Sequence, residues 1–460
     1  MMSYKFLLDL ALILITTKLF GLATRRVQMP QVVGALLAGL ILGPACLNVL
    51  QETDFITQCA ELGVIVLMFA AGLETDIHEL QKTGKASFII ALIGVLVPLG
   101  GGFLLADAFH VGDGNLSANH FMQYIFIGVI LTATSVSITV ETLKELGKLN
   151  TKAGNAILGA ALIDDIMGIV ALTLVTSTAD SSVNLGIVLA KIVGFFVFAA
   201  VAGYLFHKFF VWWVDNASKD LRRFVIVAFT FCLLMSYIAE AVFGVADITG
   251  AFLAGLIISS SRRTKYIDSR FSTLSYMLLS PIFFASIGIK VVLPQMSTTI
   301  IVFSLLLMLV AVLTKVVGCG LGAKICGFSN EESLQIGVGM ISRGEVALIV
   351  ANKGSALGLM SDTMFGPIVI MIVFTTIITP VLLKMVFHKK EAPAPYASGL
   401  LDSYAEKEQF DLAEQNLLKL HYQLKAKKPN IIQRTFFNQK TVEHHEPASN
   451  NDQNQTDEQK

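Results

Sequence analysis

Two adjacent aspartates, Asp164 and Asp165, lie in the middle of AILGAALIDDIMGIVALTLV, a stretch otherwise long and apolar enough to cross a lipid bilayer. A charge at that depth costs at least ~2.5–3.5 kcal/mol on the lenient insertion scale, and here two stand in a row. Carboxylates in such a place are there to bind a cation, a proton or a basic side chain. Neighbours on one helix point about 100° apart, so the two have different partners. One can hold the structure while the other meets an ion.

Three more groups ask for partners. Lys315 lies in LLMLVAVLTKVVGCG, far enough from the following loop that snorkelling is an awkward explanation. A buried lysine calls for a carboxylate. Arg343 and Glu345 occur together in GVGMISRGEVALIVA, where Ser342 and Gly344 weaken the helix. They can neutralise each other, which would only fix local packing, or each can pair elsewhere. Thr132, Thr134, Ser135, Ser137 and Thr139 crowd VILTATSVSITVE. Any one of these hydroxyls can bond back to its own helix. Five in eight residues point instead to a local break that opens carbonyls and hydroxyls to a cavity.

The elements that must position these groups are membrane spans. Hydrophobic residues make up 54% of the 460 residues and charged ones 15%, and the mean hydropathy is +0.69, which together describe an all-α polytopic membrane protein. Hydropathy windows give thirteen spans, roughly 4–24, 29–48, 57–73, 86–107, 121–141, 153–176, 185–207, 222–241, 246–260, 273–290, 298–320, 335–352 and 364–387. With residues 1–387 as the transmembrane domain and 388–460 as a polar cytoplasmic tail, the Lys and Arg residues of the loops fall overwhelmingly on one side. That asymmetry predicts an N-out, C-in orientation in the cytoplasmic membrane. Within the tail, 402–428 reads as a charged helix and 440–460 as disordered, and no nucleotide-binding fingerprint occurs. Asp9 interrupts the first apolar run, which reads as a retained helix rather than a cleaved signal. The five cysteines show no metal-ligand spacing and read as buried thiols. Zero net charge gives no case for nucleic acid, and no cofactor beyond transported ions is called for. Glu74 and Asp76 read as solvated charges at a helix end, and Lys191 as an anchor or dimer contact.

The two weakened spans, the fifth and the twelfth, would be the middle members of units formed by spans four to six and eleven to thirteen. Inverted-repeat transporters place discontinuous helices at such corresponding points, with half-helix ends facing the ion near the bilayer midplane.

The chain resembles the monovalent cation:proton antiporter-2 family, which includes bacterial sodium/proton antiporters of the NapA type and the Kef-type membrane domain, here without its nucleotide-binding domain. The resemblance covers roughly residues 5–387. It rests on PQVVGALLAGLILGP at 30–44, LGVIVLMFAAGLETD at 62–76, the TATS run, LIDDIMGIV at 162–170, ITGAFLAGLI at 248–257, LSPIFFASIGI at 279–289, Lys315 and SRGE at 342–345, in that order and spacing. It implies about thirteen helices, a core plus a dimerisation domain in a homodimer, and two broken helices crossing beside the site at Thr134-Ser135 and Ser342-Gly344. It further implies that Asp165 binds the monovalent cation or protons, that Asp164 pairs with Lys315, and that an Asp-Asp pair marks electrogenic exchange. The exchanged cation would be Na+, with Li+ or K+ as alternatives.

The chemistry of such exchange can be stated from the residues. A hard monovalent cation needs oxygen ligands, and a carboxylate taken out of water keeps its charge only against a cation, taking a proton otherwise. Cation and proton then compete for one group, and alternating access turns competition into exchange. A cation channel or K+ efflux component would use similar acids, but no TVGYG-like filter occurs. An intramembrane aspartyl protease needs two aspartates on different helices, and no GxGD motif accompanies this adjacent pair.

Overall fold

The computed structural model describes residues 4–387, apart from 27–28, 115, 117, 180–183, 217–221, 262 and 292–297. The features expected at 402–428 and 440–460 lie outside the described residues. Among those described, every regular element is a helix. Lipid offers backbone N–H and C=O groups no partners, so an apolar run satisfies them internally by coiling.

In chain order the helices are α1 (Lys5–Arg26), α2 (Gln31–Leu42), α3 (Asp54–Glu74) and α4 (Ile77–Ala108). Then come α5 (His120–Thr132), α6 (Val136–Glu145), α7 (Lys152–Ala179), α8 (Leu185–Asn216) and α9 (Arg222–Ile238). They are followed by α10 (Asp247–Ile258), α11 (Thr264–Leu274), α12 (Ser280–Ile289) and α13 (Thr298–Ile325). The last three are α14 (Asn330–Gly339), α15 (Glu345–Ala356) and α16 (Phe365–Phe387). Among the described residues, ten helical segments are long and apolar enough to cross a membrane, and three shorter apolar helices cover 31–42, 247–258 and 346–356. Each expected span overlaps one of these, the twelfth, 335–352, being divided between α14 and the helix at 346–356. Two begin well before the window placed them: α4 starts at Ile77, and α11 runs through a π-helical turn, Ser275–Leu279, into α12. Their first turns, IHELQKTGK and TKYIDSR, are polar, and a hydropathy window does not see a polar helix start.

The helices pack in two sets. In one, α4 lies against α13, α7 and α5, and α13 lies against α14 and α16. In the other, α2 packs on α1 and α12, and α10 packs on α3, α9 and α8. The main meetings between the sets are α6 with α3 and α2, α16 with α2, and α7 with α8.

Backbone closeness holds the second set together where α3 crosses α10. A Cβ on Gly72 would overlap the carbonyl oxygen of Phe252, and one on Gly255 would overlap that of Phe69. Neither obstacle is a flexible side chain, so a larger residue must push the helices apart. Small residues at a membrane helix crossing permit the close packing that drives association in lipid. Gly72→Leu and Gly255→Leu are expected to destabilise the fold by ~1–3 kcal/mol each. Gly84→Ala, where nothing lies within 4 Å of the added Cβ, serves as the control. Thermal unfolding in detergent checks this, and equal melting of all three variants would refute it.

Candidate ion and proton site

The aspartate pair sits on α7 beside the two broken spans. Asp164 is 2% exposed, Asp165 8% and Lys315 0%. The Lys315 Nζ on α13 lies 3.0 Å from Asp164 Oδ1 and 3.2 Å from Oδ2, so it donates across both oxygens. α4 packs against α7 and α13 alike and so fixes the spacing of the pair. Each partner loses several kcal/mol of hydration on burial, and only good geometry between full charges offsets that loss. The Thr134 side chain and the Arg343 charge also act on the Asp164 carboxylate. Asp165 is turned about 100° around the helix from its neighbour.

The breaks lie where the hydroxyl-rich and SRGE runs placed them. The fifth span stops at Thr132 and restarts at Val136; the twelfth stops at Gly339 and restarts at Glu345. Broken helices leave backbone groups without partners inside the helix. Here the two breaks satisfy each other. Ser135 N–H donates to the Ser342 carbonyl at 2.8 Å, and Ser342 Oγ donates back to the Ser135 carbonyl at 2.8 Å. Thr139 Oγ1 donates to Gly339 O at 2.8 Å and lies 2.7 Å from Ser342 Oγ. Thr134 Oγ1 reaches Met340 O at 3.5 Å, and Ser135 and Ser137 hydroxyls are 3.2 Å apart. Thr132 follows the local alternative, bonding back to Val129 O at 2.7 Å. Gly344 packs closely here, since a Cβ there would sit 2.8 Å from Ser135 Oγ and oblige that side chain to shift.

Arg343 is wholly buried, and its guanidinium is directed at backbone. Nη1 donates to Ile341 O at 2.8 Å, and Nη2 donates to Leu131 O at 2.8 Å and Ala311 O at 3.0 Å. Leu131 lies in the last turn of α5 and Ile341 follows α14, so one cation answers the carbonyl-rich, negative ends of two half-helices. Three of the guanidinium's donor contacts thus go to backbone carbonyls; Glu345 opens α15, and its side chain lies outside the described residues. Thr376 Oγ1 on α16 donates to the Arg343 carbonyl, a support that the apolar thirteenth span gave no reason to single out beyond its buried hydroxyls.

Two end charges read as solvated have partners. Glu74 Oε1 is 2.8 Å from Lys144 Nζ, and Asp76 caps α4 by accepting from His78 N at 2.8 Å. Lys191 is exposed on α8. Among the described residues, no group of three or more His, Cys, Asp or Glu is arranged to hold a metal ion of the resident kind.

Removing one partner of the central pair strands the other. Lys315→Met leaves Asp164 buried without its counter-charge and is expected to cost ~3–5 kcal/mol. The double variant Asp164→Asn with Lys315→Met removes the mismatch and should melt well above the single variant in detergent. A Lys315→Met protein that melts with the wild type would contradict the assignment.

Residues 11–389 match the family model described as sodium/hydrogen exchanger, transmembrane. The chain is 38% identical over 391 residues to the Bacillus cereus protein called Na(+)/H(+)-K(+) antiporter GerN, covering 85% of this chain and 98% of that one. It is 38% identical over 390 residues to a Na(+)/H(+) antiporter of Enterococcus hirae, covering 83% and 97%. Among solved structures it resembles the sodium proton antiporter MjNhaP1 of Methanocaldococcus jannaschii, with a TM-score of 0.61 at 20% identity over 83% of this chain and 97% of that one. That likeness bears on fold, while the family model and the two bacterial relatives decide the lineage: the chain belongs to the sodium/hydrogen exchanger family.

Proposed function

We propose that this member of the family is a secondary active transporter, not a catalyst, that exchanges Na+ for protons through Asp165 by alternating access. The observation that carries the site assignment is the buried Asp164–Lys315 pair, set one residue from Asp165 and beside the crossing of two helix breaks. Lys315 holds Asp164, and the exchange chemistry is assigned to Asp165, its neighbour on α7. Oxygen ligands for a dehydrated cation come from the carboxylate and from the hydroxyls and carbonyls of the breaks. A proton on the same carboxylate displaces the cation, so each excludes the other.

Thirteen membrane crossings, the N-terminus outside and the C-terminus in the cytoplasm belong to this reading, supported by the ten long and three short apolar helices and by the loop distribution of Lys and Arg. So does a homodimer, in which the set holding the Asp pair moves against the other. Protonation of Asp164 would release Lys315 and add a second proton to the cycle, making transport electrogenic. Each net charge then responds to voltage by ~2.3 kcal/mol per 100 mV. A potassium-linked second reading is favoured by the name of the relative GerN, a Na(+)/H(+)-K(+) antiporter.

The test is dissipation of an imposed proton gradient in proteoliposomes loaded with a pH-sensitive dye, with sodium, lithium or potassium added in turn. The wild type should respond to at least one ion, and Asp165→Asn to none. Asp164→Asn should give slower or electroneutral exchange. Equal dissipation by wild type and Asp165→Asn would move the site elsewhere. Current without a proton counter-gradient would establish a channel.

A further inference from the structure

The last turn of α6 reaches out of its own helix set with two consecutive side chains. Lys144 Nζ lies 2.8 Å from Glu74 Oε1 at the end of α3, both half-buried. Glu145 accepts the Gln31 backbone N–H at 2.7 Å through one oxygen and 2.9 Å through the other. Gln31 opens α2, and the residue before it, Pro30, offers no side-chain cap. The first N–H groups of a helix lack partners within the helix and form its positive end, so a carboxylate there is favourable. α2 thus takes its cap from a residue 114 positions away, in the other set of helices.

Beside this contact opens a cavity of about 280 Å³ lined by Arg25, Met29, Pro30, Glu145, Leu146 and Lys384. Its two cations lie on opposite sides of the division. Arg25 is in the last turn of α1, in the set of α2, while Lys384 is in the last turn of α16, which packs with α6. The cavity gives the Glu145 carboxylate room to move and a cation in its own set to move toward.

We propose that Lys144 and Glu145 form a two-point latch between the helix sets, and that each transport cycle opens it, Glu145 leaving the start of α2 for Lys384. The inference rests on the alternating-access reading, since only relative movement of the sets requires release. The contacts join the sets at the seam where they otherwise meet sparsely, through α6, α2 and α3. A bond that must break in every cycle sets how readily the described arrangement gives way to the other.

The decisive experiment ties the latch shut reversibly. In the full-length chain carrying Glu74→Cys and Lys144→Cys, a reductant-cleavable bifunctional thiosulfonate joins the two positions, with joining verified by mass spectrometry of the peptides. Cation-dependent proton exchange in proteoliposomes should fall about tenfold or more on cross-linking and return on reduction. The wild type and each single-cysteine variant treated alike control for the native thiols. Undiminished exchange in the cross-linked pair, with exchange present in the wild type, would overturn the latch alone. Exchange missing from the wild type would overturn the transport reading and the latch's role in it together. Independently, Glu145→Ala should speed hydrogen–deuterium exchange of the Gln31 amide by about fivefold, the equivalent of one lost cap. An unchanged amide rate would show that Glu145 is no cap and would equally overturn the latch.

Discussion

A lysine ammonium and an aspartate carboxylate removed from water, with lipid all around, set the terms for the rest of this protein. Neither charge survives alone at that depth, and together they survive only if two helices are held at one distance and one rotation. α4, lying along both α7 and α13, provides that constraint. Fixing Asp164 also fixes Asp165, because adjacent residues on one helix share a backbone and differ only in direction. The second carboxylate thereby stands on a scaffold that the first one and its lysine hold in place.

The second constraint comes from breaking helices inside a membrane. Each break frees N–H and C=O groups that lipid cannot satisfy. Here the two breaks are one another's solvent: serine and threonine hydroxyls, backbone amides and carbonyls exchange bonds across 200 residues of sequence. Arg343 takes the carbonyls left over. The same groups that cure the breaks are oxygen atoms of the kind a dehydrated cation needs.

Much of this was legible in the sequence, for definite reasons. A charge in an apolar run is expensive, so Asp164, Asp165, Lys315 and Arg343 stood out, and the density of hydroxyls around Thr134 marked a break. The pairing of Asp164 with Lys315 came from family resemblance and agrees with the geometry found. What composition could not supply was direction. Arg343 next to Glu345 left open whether the two pair, and the carbonyls that the guanidinium does meet are ones every residue carries and no sequence distinguishes. The bond between Glu74 and Lys144 was equally hidden, because both residues look like ordinary end charges until the fold brings their helices together. Helix starts such as IHELQKTGK escaped hydropathy because polarity is no bar to helix formation outside lipid.

The arginine clamp carries an asymmetry of information. Its acceptors are the carbonyls of Leu131, Ala311 and Ile341, and a carbonyl remains when the side chain above it is exchanged for another of similar bulk. Substitution can wander at those three positions without touching the contact, while position 343 has no comparable latitude, since only a guanidinium fans donors to three separate strands of backbone. A joint that gathers three segments of chain is thus written in a single codon, and its other participants leave no trace in the sequence by which they could be found.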